Sequence, residues 1–338
     1  MSGARPEPAG CELSPQSAAR AVRVLALARV EQIGESLQRF LADDPEGLHD
    51  VRVAMRRLRT LLRAYRPYVD DTLKRKTRRD LNSVARASSD ARDVEVAAAW
   101  VAEQADLPPR LRAGVRRAAA LLDQDRDAVL KDLRERLRAD LPDVLRGLSK
   151  QLSSYSDQIE AEGAAPAEPF GIAAAAALRE HARRFERRVG RLGGEFDADA
   201  AHAVRIAAKR MRYLLEPLHD DARAATVIDQ VTTLQDVLGT VHDAHQFVRR
   251  FVREIGERAA RDARRRVRPL IGLEPAEADA VPYASVRGAY TELARRAHAQ
   301  ERASFRAFRR RWTRRAVEDL LTAVESIALE LDGVRAAP

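Results

Sequence analysis

The sequence predicts an all-α protein built as two pseudo-symmetric antiparallel four-helix bundles around a central basic groove. Three observations carry that expectation. Helical periodicity runs through nearly the whole chain, a helix–helix unit occurs twice in the same order, and each copy sets a purely cationic edge beside an apolar face.

Ala, Leu, Arg and Glu dominate, all good helix formers, and no segment shows the apolar/polar alternation of a half-buried strand. Ser14 followed by Pro15 reads as a helix cap and first-turn proline, after a leader over 1–13 expected to be disordered. Helices are expected at about 15–42, 47–65, 71–105 and 109–160, then at about 171–192, 199–215, 222–260 and 283–333. The stretch 162–171, EGAAPAEPFG, reads as a linker, and GLEPAEADAVP at 272–282 as a loop. The expected domain covers 14–335, with one half at about 14–161 and the other at about 172–335. Long helices with short links suit up-and-down bundles.

Lys and Arg total 60 against 51 acidic residues, a net charge of +9 in 338 residues. Such an excess concerns partners and not fold: it favours polyanions. The single cysteine, Cys11, excludes a disulfide framework and a thiolate metal cluster. No stretch approaches the roughly 18 apolar residues that span a bilayer. The opening MSGARPEPAG lacks the apolar core of a signal peptide. A cytoplasmic protein with no membrane partner is therefore expected.

The repeat is the most informative feature. LHDVRVAMRRLRTLL at 48–62 matches AHAVRIAAKRMRYLL at 201–215, so that His202 follows His49 by 153 residues. Further on, ASSDARDVE at 87–95 answers VLGTVHDAH at 237–245, placing Asp93 opposite Asp243. On a helical wheel with His49 at zero, Arg52, Arg56, Arg59 and Arg63 fall on a stripe about 80° wide, while Val51, Met55, Leu58 and Leu62 lie directly beside it. The second copy sets His202, Arg205, Lys209 and Arg212 beside Val204, Ala208, Met211 and Leu215. Exposed basic helix faces ordinarily interleave Glu or Asp at i+3 or i+4. Neither 51–69 nor 203–215 holds one. Uncompensated arginines in a row call for a counter-anion, and the guanidinium fork suits phosphate oxygens. Further cations at Lys76, Arg79, Arg86, Arg92 and Arg265 are candidates for the same surface, although runs such as Arg264–Arg266 must also point to water.

At these residues the sequence resembles the CHAD family, whose pattern of His-x-x-Arg-apolar-x-x-Arg/Lys-Arg-apolar-Arg occurs twice. Here it stands as HDVRVAMRRLR and HAVRIAAKRMR, with SSDARD and LGTVHD in the companion positions. The resemblance covers about 15–333 and implies two four-helix bundles around a basic cavity that binds inorganic polyphosphate without catalysis or cofactor, in members associated with polyphosphate granules. It implies anion ligands or supports at His49, Arg52, Arg56, Arg57, Arg59, His202, Arg205, Lys209, Arg210 and Arg212. There are departures from the pattern: Ser88-Ser89 replaces Leu-Gly, His242 stands where the first copy has Arg92, and Glu216 answers Arg63. The Glu-x-Glu-x-Lys motif of the triphosphate-binding partner domain is absent from the sequence, so its hydrolytic chemistry is not implied.

Two other readings compete. His49-Asp50, His219-Asp220 and His242-Asp243 invite a metal-dependent HD phosphohydrolase, a weak signal because the dipeptide is short; Asp93 and Asp243 read better as structural partners of arginine. Nucleic acid is the alternative polyanion, but aromatic residues make up 5% of the chain and do not alternate with arginine as a base-stacking surface requires. Trp312 reads as an anchor for the last helix.

Overall fold

The computed structural model describes residues 10–104, 106–154, 168–270 and 285–333. These form helices α1 (Gly10–Leu13), α2 (Ala18–Leu41), α3 (Gly47–Ala64), α4 (Arg75–Ala102), α5 (Pro109–Ser153), α6 (Phe170–Gly190), α7 (Ala198–Leu215), α8 (Ala222–Leu270), α9 (Ser285–Arg311) and α10 (Arg314–Gly333). Among the described residues the only β pairing is one isolated antiparallel bridge, between Ser17 and Pro169. The fold is all-α.

Three expectations are corrected. The leader is not irregular throughout: 10–13 form a helical turn, held because Leu13 and Ser14 are buried and the Ser14 carbonyl accepts from the Gly171 amide at 3.0 Å. Consequently Ser14 and Pro15 lie between two helices, and α2 starts at Ala18 behind Ser17. At the other end, 283–333 is not one helix but α9 and α10, broken at Trp312 and Thr313. Finally, Phe170 and Gly171 belong to α6 and not to a linker. The rest of that linker, apart from Glu168 and Pro169, and the loop at 272–282 lie outside the described residues.

The chain forms two compact units, and neither follows the sequence halves. One comprises 1–89, 132–236 and 308–338; the other comprises 90–131 and 237–307. Each draws on both copies of the repeat, because α4, α5, α8 and α9 each pass from one unit into the other.

The first unit holds both signature helices. Helix α2 packs on α3 and α6 on α7, and α10 covers α6. Corresponding helices also meet each other, α2 with α6 and α3 with α7. At the start of the α2–α6 pair the chains exchange backbone bonds, Ala18 N to Glu168 O and Phe170 N to Gln16 O, both 2.8 Å. Close approach of α3 to α2 requires Gly47, where a Cβ would stand 2.4 Å from the Phe40 nitrogen. The apolar stripes lie inward: Val51, Met55, Leu58 and Leu62 on α3, and Val204, Ala208, Met211 and Leu215 on α7, are all buried. At about 1.5–3 kcal/mol for each fully buried large side chain, these stripes fix which helix edge remains for the arginines.

The second unit has its own core. Phe247, Phe251, Tyr290 and Leu293 pack with Val101 and Leu122, and Trp100 lies 5.0 Å from the Phe247 ring. The Trp100 indole N–H donates to Gln300 at 2.7 Å.

Candidate anion-binding site

The cationic edges of α3 and α7 meet within the first unit. Glu216, one residue beyond α7, contacts Arg57 of α3 at 2.6 Å and Arg212 of its own helix at 3.0 Å, with Arg29 of α2 at 3.9 Å. Both Arg57 and Arg212 approach the Tyr213 ring, at 6.0 and 4.9 Å. Arg57 and Arg212, expected as anion ligands, thus carry an internal counterion. The sequence expectation of wholly uncompensated edges needs this correction: the carboxylate sits one residue past the acid-free stretch, where i, i+4 spacing returns it to Arg212.

Other arginines of this cluster differ: Arg184 bonds Glu180 at 2.6 Å, while several more have no carboxylate at hand. Burial first, then Arg63, Arg86 and Arg56, depresses the pKa of Arg59. Burial first, then Arg63, Arg184, Arg188 and Arg59, does the same to Arg210. Arginines of α3, α6 and α7 therefore share one field, with Arg86 of α4 beside Arg59. Among the described residues no carboxylate lies within ion-pair distance of Arg56, Arg63, Arg86, Arg188 or Arg210. Arg59 donates to the neutral Asn82 carboxamide at 2.7 Å, and Arg212 to Gln235 at 3.1 Å, each partner 23 residues downstream.

A pocket of about 510 Å³ adjoins this cluster, lined by His181, Arg184, Arg187, Arg188 and Arg191 of α6 and its following turn, and by His202 and Arg210 of α7. No acidic side chain lines it. His181 is 5% exposed; its Nδ1 lies 2.9 Å from the Ala177 carbonyl, and its Nε2 is buried without a hydrogen-bond partner. Burial, then Arg184 and Arg210, lowers the His181 pKa against the opposing Ala177 bond and Glu180. Burial, then Arg205 and Lys209, lowers that of His202, opposed by Asp199.

Both histidines are thus poised neutral in the free protein. A polyanion in the pocket favours their protonated forms. Affinity is expected to rise as pH falls from 8 to 5.5, by at most about one decade per pH unit for each proton taken up. The His181→Gln/His202→Gln variant is expected to flatten that slope, as read by titration at each pH. Without ligand the sign reverses. Depressed folded-state values contribute stability that is present above the ordinary histidine pKa of about 6.5 and is lost as pH falls.

The other sequence candidates fall as follows. His49 is exposed on the first turn of α3, and Arg52, Arg205 and Lys209 are half-buried, with the Nε atoms of both arginines fully covered. Lys76 pairs with Asp80 at 2.7 Å, and Arg79 and Arg86 are exposed. Arg92, paired with Glu95 at 3.4 Å, and His242 belong to the second unit. The Arg265 side chain, with those of Arg264, Arg266 and Arg268, lies outside the described set. Sequence reasoning missed Arg184, Arg187, Arg188 and Arg191. The signal was present in HARRFERRVGRL, whose i, i+4, i+7 arginines occupy one face of the helix preceding the second signature.

For the metal reading, His245 Nδ1 meets the buried Glu301 carboxylate at 2.7 Å, and His298 meets its other oxygen at 3.1 Å. Among the described residues no group of three or more His, Cys, Asp or Glu is placed to hold a metal ion. Nor is any described helix long and apolar enough to cross a membrane.

Fold and site define a duplicated all-α domain whose paired signature helices bring arginine edges together. The CHAD domain family matches residues 25–251, and the chain belongs to that family. Among solved structures it is similar to the CHAD domain from the plant Ricinus communis, with a TM-score of 0.62 and 20% identity over 82% of this chain and 93% of that one. It is also similar to PptA from Streptomyces chartreusis, with a TM-score of 0.51 and 17% identity over 90% and 99% of the respective chains. At these identities the likeness is one of fold. No curated protein matches the sequence.

Proposed function

We propose that the protein binds linear inorganic polyphosphate non-covalently, without catalysing its turnover, and that binding serves storage or attachment at polyphosphate granules in the cytoplasm. Membership of the CHAD family supports a polyphosphate-related role in general terms. The observation that carries the specific reading is the gathering of Arg59, Arg63, Arg210 and Arg188 without a carboxylate at ion-pair distance among the described residues, beside an Arg184 that Glu180 holds at 2.6 Å. Folding like charges together is costly unless an anion is supplied, and a flexible chain with a charge on every phosphate supplies several at once. Arginine forks bind such oxygens in pairs.

Nucleic acid presents the same charge but carries bases, which need stacking surfaces. The pocket is lined by no Phe, Tyr or Trp. Titration of the whole protein with polyphosphate, single-stranded DNA, RNA and ATP at physiological salt tests the proposal. Polyphosphate is expected to bind tightest by a wide margin and to be recovered intact; equal affinity for RNA, or phosphate release, contradicts it.

A further inference from the structure

Around the crossing of α3 and α7, equivalent positions of the two repeat copies carry one opposite charge, Glu216 in place of Arg63. We propose that a single phosphoryl group of the ligand is gripped by Arg59, Arg63 and Arg210, and that Glu216 fills the equivalent place on the other side of the crossing with a built-in carboxylate. This rests on the polyphosphate reading above and adds to it where the tightest contact lies and how many there are.

Glu216 keeps helical angles, φ −54° and ψ −40°, so it continues α7 in the register that Arg63 holds on α3. Its carboxylate joins Arg57 of the facing helix, at 2.6 Å, to Arg212 one turn back on its own helix, at 3.0 Å. Exchanging the copies turns Arg57 into Arg210, Arg212 into Arg59 and Glu216 into Arg63. The facing helices do meet, α3 against α7. There Arg63 and Arg59 both act on the charge of Arg210; among the described residues no carboxylate is within ion-pair distance of Arg63 or Arg210, while Arg59 has the neutral Asn82 amide.

One set is therefore closed by an acid of the chain, and the other has gained a third cation instead. A phosphoryl group presents oxygens at the spacing a carboxylate offers to an arginine fork, with more charge. It fits where the second carboxylate is lacking. The remainder of a bound chain then continues past Arg184 and Arg188, whose charges also act on Arg210. The closed set offers no second grip of this kind.

The test places a carboxylate in the open set. Arg63 is exposed, so Arg63→Glu disturbs no core. Two quantities are read on the full chain: melting temperature without ligand, and affinity for a short polyphosphate of defined length. Arg63→Glu is expected to raise the melting temperature and to lower affinity by about a hundredfold or more, the scale of losing a central charge contact. Arg56→Glu, the same change of charge on the half-buried Arg56 outside the three-arginine set, is expected to lower affinity by about tenfold, the scale of one peripheral charge. A melting temperature that fails to rise in Arg63→Glu, or equal affinity losses in the two variants, overturns the single grip and leaves polyphosphate binding standing. Wild-type protein that does not bind polyphosphate overturns that reading instead. A raised melting temperature in Arg63→Glu then still supports an anion site at this position.

Discussion

Arg63→Glu combined with Arg188→Glu is expected to lower polyphosphate affinity by roughly a thousandfold at low salt while leaving the fold and melting temperature intact or improved. Both side chains are exposed, and neither has a carboxylate within ion-pair distance among the described residues. The variant changes the local charge by four units. At about 1 kcal/mol for each pair of unit charges 4 Å apart in water, the loss approaches 4 kcal/mol, close to three decades in affinity. Screening at physiological salt reduces this to roughly a hundredfold. Titration checks the loss, and a thermal melt checks the fold. A variant that unfolds shows instead that these arginines hold the structure.

The second large effect concerns stability. Glu216→Ala is expected to destabilise the protein by about 3–5 kcal/mol, the scale for removing one partner of a buried ion pair. The carboxylate side chain is 11% exposed and is the counterion of Arg57 and Arg212, with Arg29 at 8% exposure nearby. Without it three guanidinium groups remain close together and largely shielded from water. Denaturant melts measure the change. A loss below about 1 kcal/mol, typical of surface pairs, contradicts the assignment of Glu216 as a structural counterion.

Much of this was legible in the sequence because the repeat and the helical wheel report on the same faces. Burial of Val51, Met55, Leu58 and Leu62 beside Arg52, Arg56, Arg59 and Arg63 follows from spacing alone, and the same holds on α7. The start of α2 was not legible, since Ser14-Pro15 has the composition of a cap but is tied to Gly171 through long-range backbone pairing. Nor was the break at Trp312, which no proline or glycine marks. Two features of the site required coordinates. Glu216 lies outside the acid-free window on α7, and its partnership with Arg57 joins residues 159 apart. Spacing sets the α6 arginines on one face, but Glu180 and Glu186 stand among them, and only the packing on α7 sets Arg188 and the Glu180-bonded Arg184 beside Arg210.

The central claim is that a phosphate chain replaces the counterions missing from these converging arginines. Measuring polyphosphate affinity as a function of salt concentration tests it most directly. With about six phosphates engaged, at roughly −0.7 per phosphate by analogy with single-stranded nucleic acid, a log–log slope near −4 is expected. A slope near zero contradicts the account.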